Sequence, residues 1–70
     1  MNTIHVICKR QKKDATTLAA RIIDLYGQEL DVMVDEESAR SLNYARQLEI
    51  ENVGDGASLI VVLGGDGTLL

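Results

Sequence analysis

Three apolar segments alternate with two amphipathic segments along the chain. Thr3–Cys8 and residues 30–34 are short β-favouring runs, and Leu59–Leu63 is a run of five consecutive branched aliphatic residues. Runs of this length and composition predict strands. Because the third run shows no alternation of apolar and polar residues, it is typical of a central parallel strand covered by helices on both faces.

The segment after the first strand has the periodicity of a single helical face. Its apolar residues recur at spacings of three and four, at Ala15, Leu18, Ala19, Ile22, Ile23 and Tyr26. Asp14 stands where an N-cap belongs, and Gly27 stands where a C-terminal cap belongs. The pattern predicts a helix over residues 15–26.

A second helix is predicted from Glu36 to about Leu48. Asp35 is the candidate N-cap, and the carboxylates of Glu36 and Glu37 would lie in the first turn, where the helix dipole favours negative charge. Apolar residues then recur at every third position, at Ala39, Leu42, Ala45 and Leu48. Gly54-Asp55-Gly56 predicts a turn before the third strand.

The order strand, helix, strand, helix, strand indicates the α/β class. We predict a partial doubly wound (Rossmann-like) parallel sheet that stops at the start of a third helix. The second and third strands both neighbour the first, and the crossovers are right-handed. Ligands of such sheets bind beyond the carboxyl ends of the strands. Three segments lie there: residues 9–14, 35–38 and 64–68.

Charge is unevenly distributed along the chain. Four of the seven basic residues lie between Lys9 and Lys13, and residues 14–70 hold all eleven acidic residues against three bases. The acidic remainder is a poor surface for nucleic acid, whose binding depends on neutralising phosphates. No apolar run approaches the roughly 20 residues of a membrane span, and no secretory signal is visible. We therefore expect a cytoplasmic protein with neither nucleic acid nor a membrane as partner.

Two residues that often carry chemistry have ordinary structural interpretations. His5 lies inside the first strand, with no second His or Cys at metal-ligand spacing. Cys8, the only cysteine of the 70 residues, has no His or Asp beside it in sequence to activate its thiol. We predict a structural His5 and an inert Cys8, and we assign no metal ligand in the chain.

The third strand runs into Gly64-Gly65-Asp66-Gly67-Thr68, which carries most of the functional information. Paired glycines let the backbone turn sharply and bring main-chain N–H groups close to a phosphate or a ribose. Asp66 places one accessible carboxylate in that opening, and Thr68 offers a hydroxyl where a helix could begin. The alternative is a plain strand-to-helix turn in which Asp66 only caps the helix. Three glycines in four positions exceed what a turn needs, which favours a functional site.

Residues 63–70, preceded by the aliphatic strand at 57–62, resemble the NAD kinase family, in which such a strand leads into Gly-Gly-Asp-Gly-Thr. Diacylglycerol and sphingosine kinases share this motif, and phosphofructokinases carry a close variant. Those relatives have Asn-Pro or a glycine-rich sequence in the first loop, whereas residues 9–14 contain neither proline nor glycine. The same loop argues against an ordinary dinucleotide-binding dehydrogenase. Asp35, which stands where such an enzyme has its ribose-binding acid, is therefore interpreted as a helix cap.

The resemblance implies transfer of the γ-phosphoryl group of ATP to the 2′-hydroxyl of the adenosine ribose of NAD, with a divalent metal such as Mg²⁺, to give NADP. It implies that Asp66 is the proton-accepting aspartate and that Asp66 and Gly67 contact NAD. Gly64, Gly65 and Thr68 would shape the phosphate-facing turn. Open alternatives are a lipid kinase of the diacylglycerol or sphingosine type and a non-catalytic α/β interaction module.

Family members are several times longer than 70 residues and carry a second, β-rich domain. We therefore expect residues 1–70 to be the N-terminal part of a NAD kinase-like α/β domain and to be inactive alone. The resemblance also implies that the complete enzyme is a homo-oligomer.

Overall fold

The computed structural model describes residues 2–9 and 13–64. Its elements are β1 (Thr3–Cys8), α1 (Lys13–Tyr26), β2 (Asp31–Asp35), α2 (Glu36–Ser41), β3 (Gln47–Leu48), a 3₁₀ turn (Ile50–Asn52) and β4 (Leu59–Leu63). The four strands form one parallel sheet in the order β3-β2-β1-β4. The predicted α/β class is confirmed, and β1 is flanked by β2 and β4 as expected. No helix in this part of the chain is long and apolar enough to cross a membrane.

Both helices cover the same face of the sheet. Ala19 of α1 and Ala39 of α2 belong to one buried cluster with Val6 and Val34, which are register neighbours in β1 and β2. Right-handed connections that step in one direction, from β1 to β2 to β3, place their helices on one side. β4 lies on the other side of β1, so the segment between β3 and β4 has to cross the second face.

His5 holds that crossing segment against the sheet. Successive strand side chains point to opposite faces, so His5 lies on the face opposite Val6. The ring is only 1% exposed, and its Nδ1 accepts a hydrogen bond from the Gly54 N–H at 3.0 Å. The predicted structural role of His5 and the predicted turn at residues 54–56 are both confirmed.

α1 begins at Lys13, so Asp14 lies in the first turn and is not the N-cap that the pattern suggested. A carboxylate in the first turn is still favoured by the helix dipole. Ala15 and Ala19 are buried, and their small side chains let the helix axis approach the sheet closely. Leu18 and Tyr26, expected on the buried face, are about half exposed.

α2 ends at Ser41, well short of the predicted end near Leu48. Asn43 adopts a left-handed conformation with φ 57°. Its N–H donates to the Arg40 carbonyl, and the Tyr44 N–H donates to the Ala39 carbonyl at 2.8 Å. These two bonds form a Schellman motif with Asn in the position usually taken by glycine, and they end the helix.

The residues after α2 form a short strand that the sequence did not predict. Tyr44 anchors the turn, because its hydroxyl donates to the Val32 carbonyl at 2.6 Å, and burial raises the pKa of that hydroxyl. Arg46 forms a two-pronged ion pair with Asp31, which raises the pKa of the guanidinium. β3 then pairs with the end of β2 through Gln47 and Leu48.

β4 lies at the edge of the described sheet, so the prediction of a central strand covered on both faces is wrong for this part of the chain. Leu59, Ile60 and Val62 are 54%, 45% and 54% exposed. Ile60 and Val62 lie on the same face as their register neighbours His5 and Ile7, and their exposure follows from the connection that precedes the strand. It crosses the second face as a 3₁₀ turn and a loop, which cover less of the sheet than the helix that a doubly wound sheet carries there.

Candidate nucleotide site

The direction of strand addition reverses at β1. β2 and β3 are added on one side of β1, and β4 is added on the other. In open α/β sheets, ligands bind at the carboxyl ends of the strands where the order reverses. Cys8 at the end of β1 and Leu63 at the end of β4 are register neighbours. The segments that follow these two strands therefore begin side by side at the switch point.

Gly64 packs directly against the segment that follows β1. Its φ is +81°, in the left-handed region that favours glycine. A Cβ atom there would lie 2.9 Å from the Lys9 carbonyl oxygen and 3.1 Å from the Ala15 Cβ. The start of the glycine motif and the start of the basic loop thus share one edge of the sheet, as the sequence predicts. Only glycine fits this contact without a shift of the backbone.

The remaining motif residues lie outside the described residues. This holds for Gly65, Asp66, Gly67 and Thr68, and also for residues 10–12 of the basic loop and for the predicted third helix. Their predicted roles stay predictions. The structure places Gly64 at the switch point, with exposed Lys9 and Lys13 on the segment beside it.

Asp35 is the N-cap of α2, as predicted, and it also contacts β1. Its Oδ2 accepts from the Ser38 N–H at 3.2 Å and from the Ser38 hydroxyl at 3.0 Å. Its Oδ1 accepts from the Cys8 N–H at 2.9 Å. The two bonds from Ser38 are the usual cap. The bond from the Cys8 N–H joins residues far apart in sequence, and no local pattern signals it.

Cys8 is buried beneath this carboxylate, and its Sγ lies 3.7 Å from the Ala15 carbonyl oxygen. Burial raises the pKa of the thiol, the nearby charge of Asp35 raises it further, and the hydrogen bond with Ser38 acts in the opposite direction. A buried thiol with a raised pKa holds little thiolate at neutral pH. The geometry agrees with an inert cysteine.

We expect alkylation of Cys8 by iodoacetamide at pH 8 to be more than about tenfold slower in the folded protein than in denaturant, because a local opening must precede reaction. Mass spectrometry of the Cys8 peptide, with and without guanidinium, measures the ratio. Equal rates in the two conditions would show that the thiol is accessible and contradict the buried geometry.

The charge on the second face disfavours phosphate. A groove of about 470 Å³ lies there between the crossing segment and the sheet, with His5 and Met33 in its wall. Three carboxylates also line it, those of Glu36, Glu49 and Asp55. Clustered negative charge repels a polyphosphate. The edge at Gly64, next to the basic loop, is the better candidate for a nucleotide.

Sheet order, switch point and glycine motif together define an open α/β protein whose candidate ligand site lies between the ends of β1 and β4. The NAD kinase of Chlorobium phaeobacteroides is 36% identical over 66 residues, which cover 93% of this chain and 23% of that protein. The NAD kinase of Aromatoleum aromaticum is 37% identical over 71 residues, covering 96% of this chain and 24% of that protein. The NAD kinase of Trichlorobacter lovleyi is 53% identical over 38 residues, covering 54% of this chain and 13% of that protein.

The chain belongs to the NAD kinase family, a family of enzymes of the kinase class. Four of the curated relatives align with almost the whole of this chain, and the chain spans about a quarter of their length. No family model matches the chain, and no solved structure matches it either.

Proposed function

We propose that the complete protein containing this chain is an NAD kinase, which transfers the γ-phosphoryl group of ATP to the 2′-hydroxyl of the adenosine ribose of NAD and releases ADP and NADP. Family membership supports the reaction class. The observation that carries the proposal is the position of Gly64, because the motif begins at the switch point, against the segment that follows β1.

In this proposal Asp66 accepts the proton of the 2′-hydroxyl as the ribose oxygen attacks the γ-phosphorus. A ribose hydroxyl is a weak nucleophile, and a carboxylate within hydrogen-bond reach both orients it and takes its proton. Asp66 and Gly67 contact NAD. Gly64, Gly65 and Thr68 shape the turn that faces the phosphates, where main-chain N–H groups stabilise negative charge.

A divalent cation such as Mg²⁺ neutralises charge on the phosphates in phosphoryl transfer. Within residues 2–9 and 13–64, no three His, Cys, Asp or Glu side chains come together in an arrangement that fits a metal ion. We therefore assign the cation to no residue of this part of the chain, and no step of the proposal depends on it. The homo-oligomeric state of the complete enzyme stays a prediction.

The direct test supplies the purified complete protein with NAD, Mg²⁺ and either ATP or inorganic polyphosphate. Formation of NADP is measured with an NADP-specific dehydrogenase. We expect NADP to appear in proportion to the phosphoryl donor consumed. Diacylglycerol and sphingosine in detergent micelles serve as alternative acceptors in parallel reactions.

Phosphorylation of either lipid in place of NAD would favour the lipid kinase alternative. If no acceptor is phosphorylated and neither ATP nor NAD binds, the chain is a non-catalytic module and the proposal is wrong.

A further inference from the structure

The carboxylate of Asp35 is shared between two elements that meet at the candidate site. One oxygen caps α2 at Ser38, and the other accepts from the Cys8 N–H at the end of β1. The register of β1 with β2 ends at Val6 and Val34. Cys8 lies beyond that point, so the side chain of Asp35 takes the place of a strand partner for its N–H.

The next residue along the chain is part of the contact with the glycine motif. Lys9 follows Cys8, and its carbonyl oxygen is the atom closest to the place where a Cβ of Gly64 would stand, at 2.9 Å. The Cys8 N–H and the Lys9 carbonyl are two peptide units apart, so a hydrogen bond that fixes the Cys8 N–H restrains the short segment against which Gly64 packs. The path from Asp35 to the motif runs through the backbone of Cys8 and Lys9 to the close approach of the Lys9 carbonyl and Gly64.

We propose that Asp35 is a positioning residue for the candidate site, which it holds by fixing the end of β1 against Gly64. The expected effect of replacing Asp35 on turnover rests on the proposed function. Asp35 touches neither substrate nor the reacting atoms in this arrangement. It acts through the backbone of Cys8 and Lys9.

A residue that only caps α2 would not need to be a carboxylate. Serine, threonine and asparagine cap helices about as well as aspartate, with one acceptor oxygen. Binding both the Ser38 and the Cys8 N–H groups requires two acceptor oxygens on one short side chain. In asparagine the amide nitrogen would face one of these donors, and serine has a single oxygen that reaches only Ser38.

Asp35→Ser separates these two roles, because it keeps a capping oxygen and loses the bond to Cys8. In the complete protein we expect kcat at saturating ATP and NAD to fall by about tenfold to a hundredfold, since misplacement of a reacting group by about 1 Å has effects of this size. The deficit should persist when the assay is run well below the melting temperature of the variant, where all of the protein is folded. If Asp35 only stabilised the fold, the fully folded variant would have the kcat of the wild type.

Glu37→Gln is the matched control. It removes an exposed carboxylate two residues away, in the first turn of α2, and leaves all three hydrogen bonds of Asp35 in place. Its kcat should stay within about twofold of the wild type. Asp35→Asn, which preserves side-chain volume, serves as the second variant and should also lower kcat, because one of its two polar atoms cannot accept.

Hydrogen exchange of the Cys8 N–H and of the peptide that contains Gly64 gives a readout independent of activity. Faster exchange at both places in Asp35→Ser, and not in Glu37→Gln, is the expected result. A folded Asp35→Ser or Asp35→Asn variant with unchanged kcat and unchanged exchange would overturn the inference. If the wild type makes no NADP, the proposed function fails, and the exchange data alone then decide whether Asp35 fixes Gly64.

Discussion

Replacing Asp66 with Asn in the complete protein is expected to lower kcat by about 10²- to 10⁴-fold, the usual contribution of a positioned general base. Asparagine has nearly the same shape and can still hydrogen-bond to the ribose hydroxyl, but it cannot accept its proton. Melting temperature and nucleotide affinity should change little, because asparagine and aspartate are about equally good in turns and at helix caps. Steady-state kinetics and a thermal melt on the same preparation measure both effects.

The chain offers a matched control in its other Gly-Asp-Gly sequence. Asp55 lies between Gly54 and Gly56 in the turn on the second face, away from the switch point. Asp55→Asn makes the same chemical change in the same local sequence, and its kcat should stay within about twofold of the wild type. Near-normal turnover of a well-folded Asp66→Asn variant would refute the catalytic role and leave Asp66 as a structural residue of the turn.

Gly64→Ala is expected to destabilise the protein by about 2–5 kcal/mol. A left-handed conformation costs an L-residue roughly 1–2 kcal/mol, and forcing an extra carbon into a packed contact costs typically about 1–3 kcal/mol more. The new methyl would press on the Lys9 carbonyl oxygen, only 2.9 Å from the ideal Cβ position. Because that contact joins the ends of β1 and β4, we also expect a loss of turnover in the protein that remains folded.

Gly56→Ala separates strain from crowding. Gly56 has a similar φ of +74°, but apart from Gly56 and its two chain neighbours, no residue has an atom within 4 Å of the place where its Cβ would stand. It should therefore show only the conformational cost, with normal turnover. Denaturant unfolding and kcat are compared for the two variants. Equal losses of stability and of turnover would mean that the contact between Gly64 and Lys9 has no energetic importance.

Where one local pattern dominates, the sequence predicts the element well. β1 matches its predicted bounds, and α1 differs only in starting two residues earlier than predicted, because β propensity is strong in the first segment and helical periodicity is strong in the second. The end of α2 was missed because apolar residues at every third position continued past it. Asn43 was the available signal, since asparagine is the usual substitute for glycine in a left-handed helix end.

Long-range features were beyond the reach of local patterns. β3 has two residues and exists only because the edge of β2 pairs with it. The bond from Asp35 to Cys8 joins two elements that only the folded sheet brings together. For the candidate site, the sequence identified the glycine motif and the edge of the sheet on which it lies. The packing of Gly64 on Lys9 depends on the strand order, which cannot be derived from hydrophobic periodicity.

The hydrogen bond between His5 and Gly54 has a consequence for the time at which the chain is synthesised. A ribosome makes β1, α1 and β2 first, so the parallel pair of β1 and β2 can form while β4 has not yet been made. Until Gly54 emerges, the imidazole of His5 lacks the N–H group that donates to it on the second face. In the nascent chain, the side of β1 that pairs with β4 therefore stays unpaired after its other side has paired with β2, until residues 59–63 have also emerged.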